Sequence, residues 1–444
     1  MRNIQVADVI DNSRFNKAHL TVLLWCILLI LFDGYDLVVY SSVIPTLTET
    51  WGASTTILGL IGSLTLIGSL IGSVISGVVA DKFGRKYVII VCTAVFSIFS
   101  LLTGMASEIS LFMIFRFVAG IGLGGIPPLL VTLTSEYSPK KMRNRMVGIM
   151  FSGYSIGGII VSLCGMWVIP SLGWQWMFFI GAIPLLMLPF MIVSLPESIY
   201  FYVKKGKDEE AKAMLHRLNP AYLPQQQDSL VVNLKTEGVP ITKLFKEGRT
   251  RATVLFWVIC FMGLLLVYGL STWLPQMMVS SGYALTSSLL FLLSLNIGAI
   301  IGSLIGGYIA DCLGSKKVLT TLYSIGGGCL LLLAFNPSVW ILYFLVAFAG
   351  AASIGAQNLN NAFISSSYPA SIRSTALGTA LSVGRIGAIV GPVLGGFLLA
   401  GNLPVYMSFV IFSIPAFIAA ITMTFVPTVK QADTKGTAVT QKVG

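Results

Sequence analysis

The sequence GVVADKFGRK at residues 77–86 recurs 230 positions later as GYIADCLGSK at residues 307–316. The same offset aligns five further pairs of residues: Gly120 with Gly350, Pro139 with Pro369, Arg143 with Arg373, Gly148 with Gly378 and Gly157 with Gly387. Because one offset serves all of these positions, the sequence indicates an internal duplication. The chain is therefore expected to contain two copies of one structural unit.

The composition is that of a membrane protein. Of the 444 residues, 55% are apolar and 10% are charged, and the mean hydropathy is +0.87. Soluble domains carry roughly 25% charged residues, so a soluble globular protein is excluded. Crossing the hydrocarbon core takes about 20 apolar residues. Twelve such runs can be placed: 21–45, 57–79, 87–107, 110–134, 146–168, 174–195, 252–275, 286–310, 317–335, 340–364, 376–399 and 404–426.

The positive charges predict the orientation. With twelve spans, both termini and every second loop lie on the same side of the membrane. Of the 28 lysines and arginines, 26 fall in these segments, and the loops of the other side contain none. Because Lys and Arg favour cytoplasmic loops, both termini and the central loop are expected in the cytoplasm. The net charge of +11 is explained by this topology, and no nucleic-acid partner is expected.

The predicted fold class is therefore an all-α integral membrane protein with twelve transmembrane helices in two six-helix, pseudo-symmetric halves. The predicted boundaries are 1–195 for the first half, 196–251 for a cytoplasmic linker and 252–444 for the second half with its tail. The linker is expected to contain one or two short amphipathic helices on the inner surface and to act mainly as a solvated connector.

Four charged residues lie inside the predicted spans: Asp33, Asp36, Arg116 and Arg385. A charge near the bilayer centre costs about 2.5–3.5 kcal/mol on insertion scales, so such residues indicate a functional site. Asp33 and Asp36 are three positions apart on a helix and share one face, with Tyr40 a further turn along. Two carboxylates this close in a low dielectric cannot both ionise cheaply, so we expect one of them to carry a proton. The alternative is that both acids simply pair with the two arginines.

Arg116 and Arg385 have forked guanidinium groups that match a carboxylate with two hydrogen bonds. One arginine comes from each half, as expected for a site between the halves. Arg385 is favoured as the substrate clamp, and Arg116 is favoured as a structural tie between helices 4 and 1, although both are candidate substrate-binding residues.

Polar side chains on helix 10 complete the candidate binding site. Gln357, Asn360 and Asn361 share one face, and amides in hydrocarbon need partners such as a polar ligand. Asn296 on helix 8 is as well explained by helix-to-helix hydrogen bonding. Four aromatic residues are candidates for stacking on a ring: Tyr35, Tyr40, Tyr268 and Trp273.

Residues 77–86 resemble the signature loop between helices 2 and 3 of the major facilitator superfamily, and residues 307–317 resemble its second-half copy. The resemblance implies a conformational latch formed by Gly77, Asp81, Gly84, Arg85, Asp311 and Gly314. Gly84 would permit a tight turn, and Asp81 would bond to a helix N-terminus or to Arg143 or Arg145. Cys312 and Ser315 replace basic positions in the copy, which is therefore expected to be the weaker latch.

Helix 1 is similar to a narrower family, the aromatic acid:proton symporters. The resemblance is carried by DGYDLVVY at 33–40, RFVAGIGLGG at 116–125, YPASIR at 368–373 and GRIGAIVGP at 384–392. It implies proton-coupled import of benzoate or a hydroxybenzoate. Nicotinate carriers share much of the helix 4 and helix 11 patterns, so a nicotinate or other small organic-anion carrier is the alternative.

Other classes fit less well. A membrane enzyme would need a catalytic or metal-binding set, but His19 and His216 both fall in predicted cytoplasmic segments and neither HExxH nor GxSxG occurs. A transport-like sensor would need a long signalling domain. We therefore expect no cofactor and no metal, and a monomer in the bacterial cytoplasmic membrane whose partners are an aromatic carboxylate, protons and lipid.

Overall fold

A computed structural model describes residues 2–225, 227–232, 241–246, 248–335, 337–369, 372–401 and 404–427. Within these ranges the chain forms twelve long helices: α1 (Lys17–Trp51), α2 (Thr55–Phe83), α3 (Arg85–Gly104), α4 (Ile109–Glu136), α5 (Arg143–Leu172), α6 (Gln175–Ser194), α7 (Thr250–Ser280), α8 (Leu285–Leu313), α9 (Ser315–Leu333), α10 (Val339–Ser367), α11 (Arg373–Ala400) and α12 (Val405–Phe425). All but α9 are long and apolar enough to cross a membrane by length and composition. The predicted all-α membrane class is confirmed, with eleven candidate spans and α9 as the twelfth long helix of the described residues.

Local signals define several helix ends. Asn16 caps α1, because its side chain accepts a hydrogen bond from the backbone N–H of Ala18 at 3.0 Å. Gly52 ends the same helix with a φ of +58°. Gly84 and Gly314, the equivalent glycines of the repeated loops, have φ values of +99° and +90°. The tight turn predicted at Gly84 is therefore present, and it is repeated in the second half.

Two helices are irregular. α6 consists of Gln175–Gly181 and Pro184–Ser194, and Pro184 begins the second piece, where its missing N–H costs nothing. α10 contains a π-helical turn at Ala351–Gly355, directly before the predicted amide residues. Such turns widen a helix locally and are frequent at functional sites.

The two halves repeat each other at the level of single contacts. In the first half, α4 packs against α2 so closely that a Cβ on Gly120 would lie 2.2 Å from the carbonyl oxygen of Thr65. In the second half, α10 packs against α8, and a Cβ on Gly350 would lie 2.0 Å from the carbonyl oxygen of Leu295. Both partners of the second contact follow those of the first by the same offset of 230 residues.

A second pair of contacts obeys the same offset. A Cβ on Gly157 of α5 would lie 2.1 Å from the carbonyl oxygen of Leu31 in α1. A Cβ on Gly387 of α11 would lie 2.1 Å from the carbonyl oxygen of Phe261 in α7. Glycine is required at these positions because any larger residue would collide with a neighbouring backbone. The duplicated glycines therefore explain why both halves fold in the same way.

The halves meet through α2 with α11, α5 with α8 and α1 with α7. We call the end of the bundle that carries the loops at 84 and 314 the charged face, and the other end the far face. Towards the far face the halves are in direct contact. Ser63 donates to the carbonyl oxygen of Ile389 at 2.5 Å, and the hydroxyl of Thr55 donates to that of Gly396 at 3.0 Å. This end of the bundle is closed.

The N-terminal arm and the first part of the linker form a small unit on the charged face. The arm contributes strand β1 (Arg2–Gln5), which pairs in parallel with strand β2 (Asp228–Val231) of the linker. Ile4 and Leu230 pack into the same core cluster as the first-half helices. The two strands were not predicted.

Two short helices, Ile199–Lys204 and Asp208–Leu218, lie in the linker. The Asn16 amide joins the second of them to the start of α1 by donating to the carbonyl oxygens of Arg217 and Leu218 at 3.0 and 2.9 Å. The expectation of a solvated connector was therefore wrong for residues 196–225 and 227–231, although the predicted short helices are present.

The second part of the linker, Ile241–Phe245, is a 3-10 turn that belongs to the other half. The hydroxyl of Thr253 on α7 donates to the carbonyl oxygen of Leu244 at 3.0 Å. Residues 233–240, between the two parts, and most of the predicted tail lie outside the described residues. The exact boundaries at 195 and 251 remain a prediction.

Candidate functional site

A cavity of about 340 Å³ lies between the two halves, at the depth of the intramembrane charges. Seven predicted site residues line it: Asp33, Asp36, Tyr40, Arg116, Gln357, Asn361 and Arg385. Its lining continues towards the charged face through residues such as Phe151 and Asn358, which are exposed. With the far face closed, the cavity opens towards the charged face.

The residues of the motif at 33–36 point in different directions. Gly34 lets α5 approach, since a Cβ there would lie 2.1 Å from the carbonyl oxygen of Tyr154. The Tyr35 hydroxyl donates to the carbonyl oxygen of Met177 in α6 at 2.8 Å. Tyr35 is thus a packing residue between helices, and the cavity lining does not include it.

Asp36 and Arg116 form a buried ion pair inside the first half. Arg116 Nη1 donates to Asp36 Oδ1 at 2.5 Å, and both side chains are 2% exposed. The guanidinium carbon lies 5.5 Å from the ring centroid of Tyr40 and 5.7 Å from that of Phe178, within the range of cation–π attraction. Arg116 therefore ties α4 to α1, the role favoured from the sequence. Its assignment as a substrate ligand remains a prediction.

Asp33 is in a different situation. Its side chain lines the cavity and is partly exposed, and within the described residues its carboxylate makes no hydrogen bond and no ion pair within 4 Å. It interacts electrostatically with Asp36 and with Arg385 of the other half. Of the two acids, Asp33 is the one whose carboxylate is open to the cavity.

Arg385 projects from α11 into the cavity. One of its Nη atoms donates to the hydroxyl of Ser73 on α2, which is a contact between the halves. In the described part of the chain it forms no ion pair. Its charge therefore remains available to an anion in the cavity, as expected for a substrate clamp.

Two tyrosines extend this cluster. Tyr154 on α5 and Tyr268 on α7 line the cavity from opposite halves, with their hydroxyls near each other. Both tyrosines interact electrostatically with Asp33. Tyr268 and Tyr40 were predicted as possible ring-stacking residues and do reach the cavity, whereas Trp273 is fully buried against Pro392.

The amides of α10 lie on two sides of the cavity wall. Gln357 and Asn361 line the cavity, and Gln357 Nε2 donates to Asn361 Oδ1 at 3.2 Å. Asn360 is completely buried behind the wall, where Nδ2 donates to the thiol sulfur of Cys260 at 3.3 Å. Asn296 is buried between α8 and Gly158 of α5, and its amide donates to its own helix. Neither Asn360 nor Asn296 lines the cavity in this conformation.

The predicted latch contains acids that the motif did not reveal. Arg85 forms a salt bridge with Glu136 at the end of α4. Glu197 accepts hydrogen bonds from the backbone N–H groups of Arg85 at 2.8 Å and Lys86 at 3.2 Å. A carboxylate at this place satisfies the free N–H groups at the start of α3 and complements the helix dipole. Gly84 makes room for it, because a Cβ there would lie 2.3 Å from Glu197 Oε2.

Asp81 does not have the predicted partners. Its side chain is exposed, and Arg143 pairs instead with Asp11 of the N-terminal arm at 2.6 Å. The expected contact between Asp81 and Arg143 is therefore absent from this conformation, in which the charged face is open. Gly77 is exposed on the same helix.

The second-half copy keeps the turn but not the arginine. Lys316 Nζ donates to the carbonyl oxygen of Val426 at 2.7 Å, as Lys86 Nζ donates to that of Ile192 at 2.6 Å. Asp311 is exposed, and Ser315 stands where the first half has Arg85. The copy thus keeps the lysine contact and lacks the arginine that holds the first loop to α4.

The sequence matches the family model described as Major Facilitator Superfamily over residues 26–299 and 290–442. The chain belongs to this superfamily. It is a multi-pass membrane transporter and not an enzyme. The fold of the transporter is similar to that of the xylose transporter XylE from E. coli, with a TM-score of 0.72, 19% identity and coverage of 93% of this chain and 98% of the other.

Two curated relatives are similar over nearly their whole length. The benzoate transport protein of Acinetobacter baylyi is 42% identical over 95% of the transporter and 92% of the relative. The gentisate transporter of Corynebacterium glutamicum is 36% identical over 89% of the transporter and 84% of the relative. The resemblance to carriers of aromatic acids is confirmed.

Proposed function

We propose that the transporter is a proton-coupled symporter that imports an aromatic monocarboxylate, benzoate or a hydroxybenzoate, by alternating access. The observation that carries the proposal is the cavity wall formed by Asp33 and Arg385. Among the described residues, this carboxylate has no close partner and this arginine forms no ion pair, and the two face one cavity from opposite halves. An acid that can bind a proton and a cation that can bind a carboxylate are the two groups that proton-coupled anion transport requires.

In this mechanism Arg385 binds the substrate carboxylate, and the Asp33–Asp36 pair supplies the proton-binding group. Tyr40, Gln357 and Asn361 are the remaining proposed substrate-binding residues, and Arg116 acts mainly by holding Asp36. Asn360, which is buried behind the cavity wall in this conformation, is not one of them. The latch at Gly77, Asp81, Gly84 and Arg85, with its copy at Asp311 and Gly314, closes the charged face when the cavity turns outward.

The energetics distinguish the possible stoichiometries. A monoanion that moves with one proton crosses electroneutrally and gains about 1.36 kcal/mol per pH unit. A second proton would add roughly 2.3 kcal/mol per 100 mV of membrane potential. The two cases therefore respond differently when each gradient is removed alone.

The experiment is uptake of labelled acids by proteoliposomes, with the pH gradient and the potential collapsed separately. Accumulation of benzoate or a hydroxybenzoate that falls when the pH gradient is removed would support the proposal. The panel includes benzamide, an uncharged isostere that should compete poorly, and nicotinate, which tests the alternative carrier. Preference for nicotinate, for sugars or for amino acids would contradict the proposed substrate class.

We also propose that the charged face is cytoplasmic, so that both termini lie in the cytoplasm of a bacterial inner membrane, and that the transporter acts as a monomer. The distribution of lysine and arginine supports this orientation. Labelling of Cys312, which is exposed at the charged face, by a membrane-impermeant thiol reagent tests it. Labelling should occur in inverted vesicles and not in intact cells.

A further inference from the structure

The contact between Arg385 and Ser73 joins the proposed substrate clamp to the opposite half of the transporter. Arg385 Nη1 donates to the hydroxyl oxygen of Ser73 on α2. The Ser73 hydroxyl donates in turn to the carbonyl oxygen of Leu70, three residues earlier on the same helix, at 2.9 Å. A hydroxyl has a single hydrogen, so Ser73 acts towards the guanidinium as an acceptor alone. The proposed transport cycle gives this serine no role.

The two ends of the Arg385 side chain are held by different halves. Its backbone lies in a part of α11 that packs closely on α7, since a Cβ on the preceding Gly384 would lie 3.1 Å from the carbonyl oxygen of Cys260. Two residues after Arg385, a Cβ on Gly387 would lie 2.1 Å from that of Phe261. The guanidinium, however, is bonded to α2. The second half therefore fixes where the side chain begins, and the first half fixes where its charge lies.

The contact crosses the interface at a level where α2 and α11 have separated. Towards the far face the two helices touch backbone to backbone, because a Cβ on Gly59 would lie 2.5 Å from the carbonyl oxygen of Pro392. Nearer the charged face, side chains of both helices line the cavity instead, among them Leu70 and Leu381. A long side chain is needed to span the opening there, and Arg385 supplies it.

Asp33 competes for the same guanidinium. Its carboxylate lines the same cavity, interacts electrostatically with Arg385 and has no hydrogen bond or ion pair within 4 Å among the described residues. A carboxylate and a guanidinium in one intramembrane cavity attract each other strongly. If they closed into a pair, the fork of Arg385 would be occupied by the protein's own acid. The bond to Ser73 holds the guanidinium on the α2 side, where this pair is not formed.

We propose that Ser73 is a positioning residue of the substrate site: it keeps the Arg385 guanidinium from closing on Asp33 and so leaves the charge to the substrate carboxylate. A serine suits this role because a neutral acceptor orients the arginine without neutralising it. Arginine has five N–H donors, and the bond to Ser73 uses one of them, so a bidentate contact to a ligand remains possible. The inference rests on the proposed function. It adds that the clamp of the second half depends on a residue of the first.

The internal duplication supplies a matched serine. Ser303 on α8 follows Ser73 by the same offset of 230 residues, and its hydroxyl accepts from Asn358 Nδ2 on α10 at 3.1 Å. Both serines thus accept a side-chain hydrogen bond from another helix. The donor to Ser303 is neutral and belongs to the same half, whereas the donor to Ser73 is charged and belongs to the other. Ser303→Ala is therefore the control for Ser73→Ala.

The test measures benzoate binding to the purified full-length protein by calorimetry, in alkaline buffer that favours the charged form of Asp33. Ser73→Ala should weaken benzoate binding by about five- to tenfold, because Arg385 can then pair with the acid. Ser73→Thr keeps the hydroxyl and should stay within about twofold of wild type, as should Ser303→Ala.

A double-substitution cycle separates this role from a general effect on the fold. Asp33→Asn removes the competing charge, so Ser73→Ala added to it should change benzoate affinity by less than about twofold. A loss of equal size in the presence and absence of the Asp33 carboxylate would overturn the inference. Unchanged binding in Ser73→Ala, or an equal loss in Ser303→Ala, would do the same.

The wild-type protein and Arg385→Lys distinguish this inference from the function on which it rests. If the wild type binds no aromatic acid, the proposed function has failed and the inference fails with it. If the wild type binds benzoate and Arg385→Lys loses it, while Ser73→Ala binds as tightly as the wild type, the clamp stands and the role of Ser73 alone is refuted.

Discussion

The two halves share one architecture but use their polar groups differently. Four ion pairs lie in the described part of the first half and its linker: Asp36 with Arg116, Arg85 with Glu136, Asp11 with Arg143 and Glu209 with Lys212. The second half contributes Arg385 and a set of buried amides with unpaired atoms. Paired charges fix structure, whereas groups with free hydrogen-bonding capacity are available for a ligand.

The comparison indicates that the two halves acquired different roles after duplication. The first half carries the acids and the charged latch, which suits proton coupling and gating. The second half carries the arginine and the amides, which suits substrate recognition. Asp33 differs from Asp36, because its carboxylate reaches the shared cavity and has no close partner among the described residues.

The largest expected effect is at Asp33. Asp33→Asn should abolish uphill accumulation of the substrate while sparing some downhill exchange, because the amide cannot bind and release the proton. Asp36→Asn should do the same if the pair shares the proton. The measurement is pH-driven uptake compared with counterflow, and Asp311→Asn is the control. Full pH-driven accumulation in both Asn variants of the pair would refute their role.

The second prediction compares the two arginines by stability. Arg116→Leu leaves Asp36 as a buried charge without a partner, which should cost about 3–5 kcal/mol. Arg385→Leu leaves only a serine hydroxyl without its donor and should cost much less. Thermal unfolding in detergent should therefore show a large decrease for the first variant alone, and Asp36→Leu added to Arg116→Leu should restore part of it. Equal destabilisation by the two arginine substitutions would contradict the assignment of Arg116 as the structural tie.

The fold was predictable because span length and duplicated glycines are properties of single segments. The candidate charges were predictable because ionised residues are rare inside apolar runs. Their pairing was not, since Asp36 and Arg116 lie 80 residues apart and the helix angles decide which acid meets which arginine. Glu136 and Glu197 were missed because acids at the ends of spans are common, and only folding brings them together at Arg85.

Other features left no periodic signal in the sequence. Strands β1 and β2 have four residues each and lie in polar segments, where alternation over so short a length is not informative. The π-helical turn at Ala351–Gly355 has a composition like that of the helix around it. The separation of Asn360 from Gln357 and Asn361 depends on the orientation of α10, which the turn alters.

The third prediction concerns Arg385 and the shape of its side chain. Arg385→Lys keeps the charge but loses the planar fork that matches a carboxylate. A charge-assisted contact of this kind is worth roughly 1.5–3 kcal/mol, so benzoate binding should weaken by about tenfold or more. Competition by benzamide should change little, because the amide does not use the charge. Unchanged benzoate affinity in purified Arg385→Lys protein would exclude the clamp.

The smallest effects are expected at the repeated loops, where the two halves can be compared residue for residue. Asp81→Asn and Asp311→Asn remove equivalent carboxylates, but only the first loop is held to α4 and to the linker by Arg85, Glu136 and Glu197. A partner gained by Asp81 when the charged face closes would be an exposed ion pair, worth up to about 1 kcal/mol. Asp81→Asn should therefore slow transport up to roughly fivefold without changing substrate affinity, and should shift the conformational equilibrium towards the state described here.

Asp311→Asn should have a smaller effect on both measurements, because Ser315 replaces the arginine of the first loop. Accessibility of a cysteine placed in the cavity, measured alongside uptake and binding, reports the equilibrium directly. If Asp81→Asn lost substrate binding with cavity accessibility unchanged, the loop would act on the binding site and not on the closing of the charged face. If the two Asn variants were equally impaired, the charges around Arg85 would have no part in the latch, and the difference between the halves would be confined to the cavity.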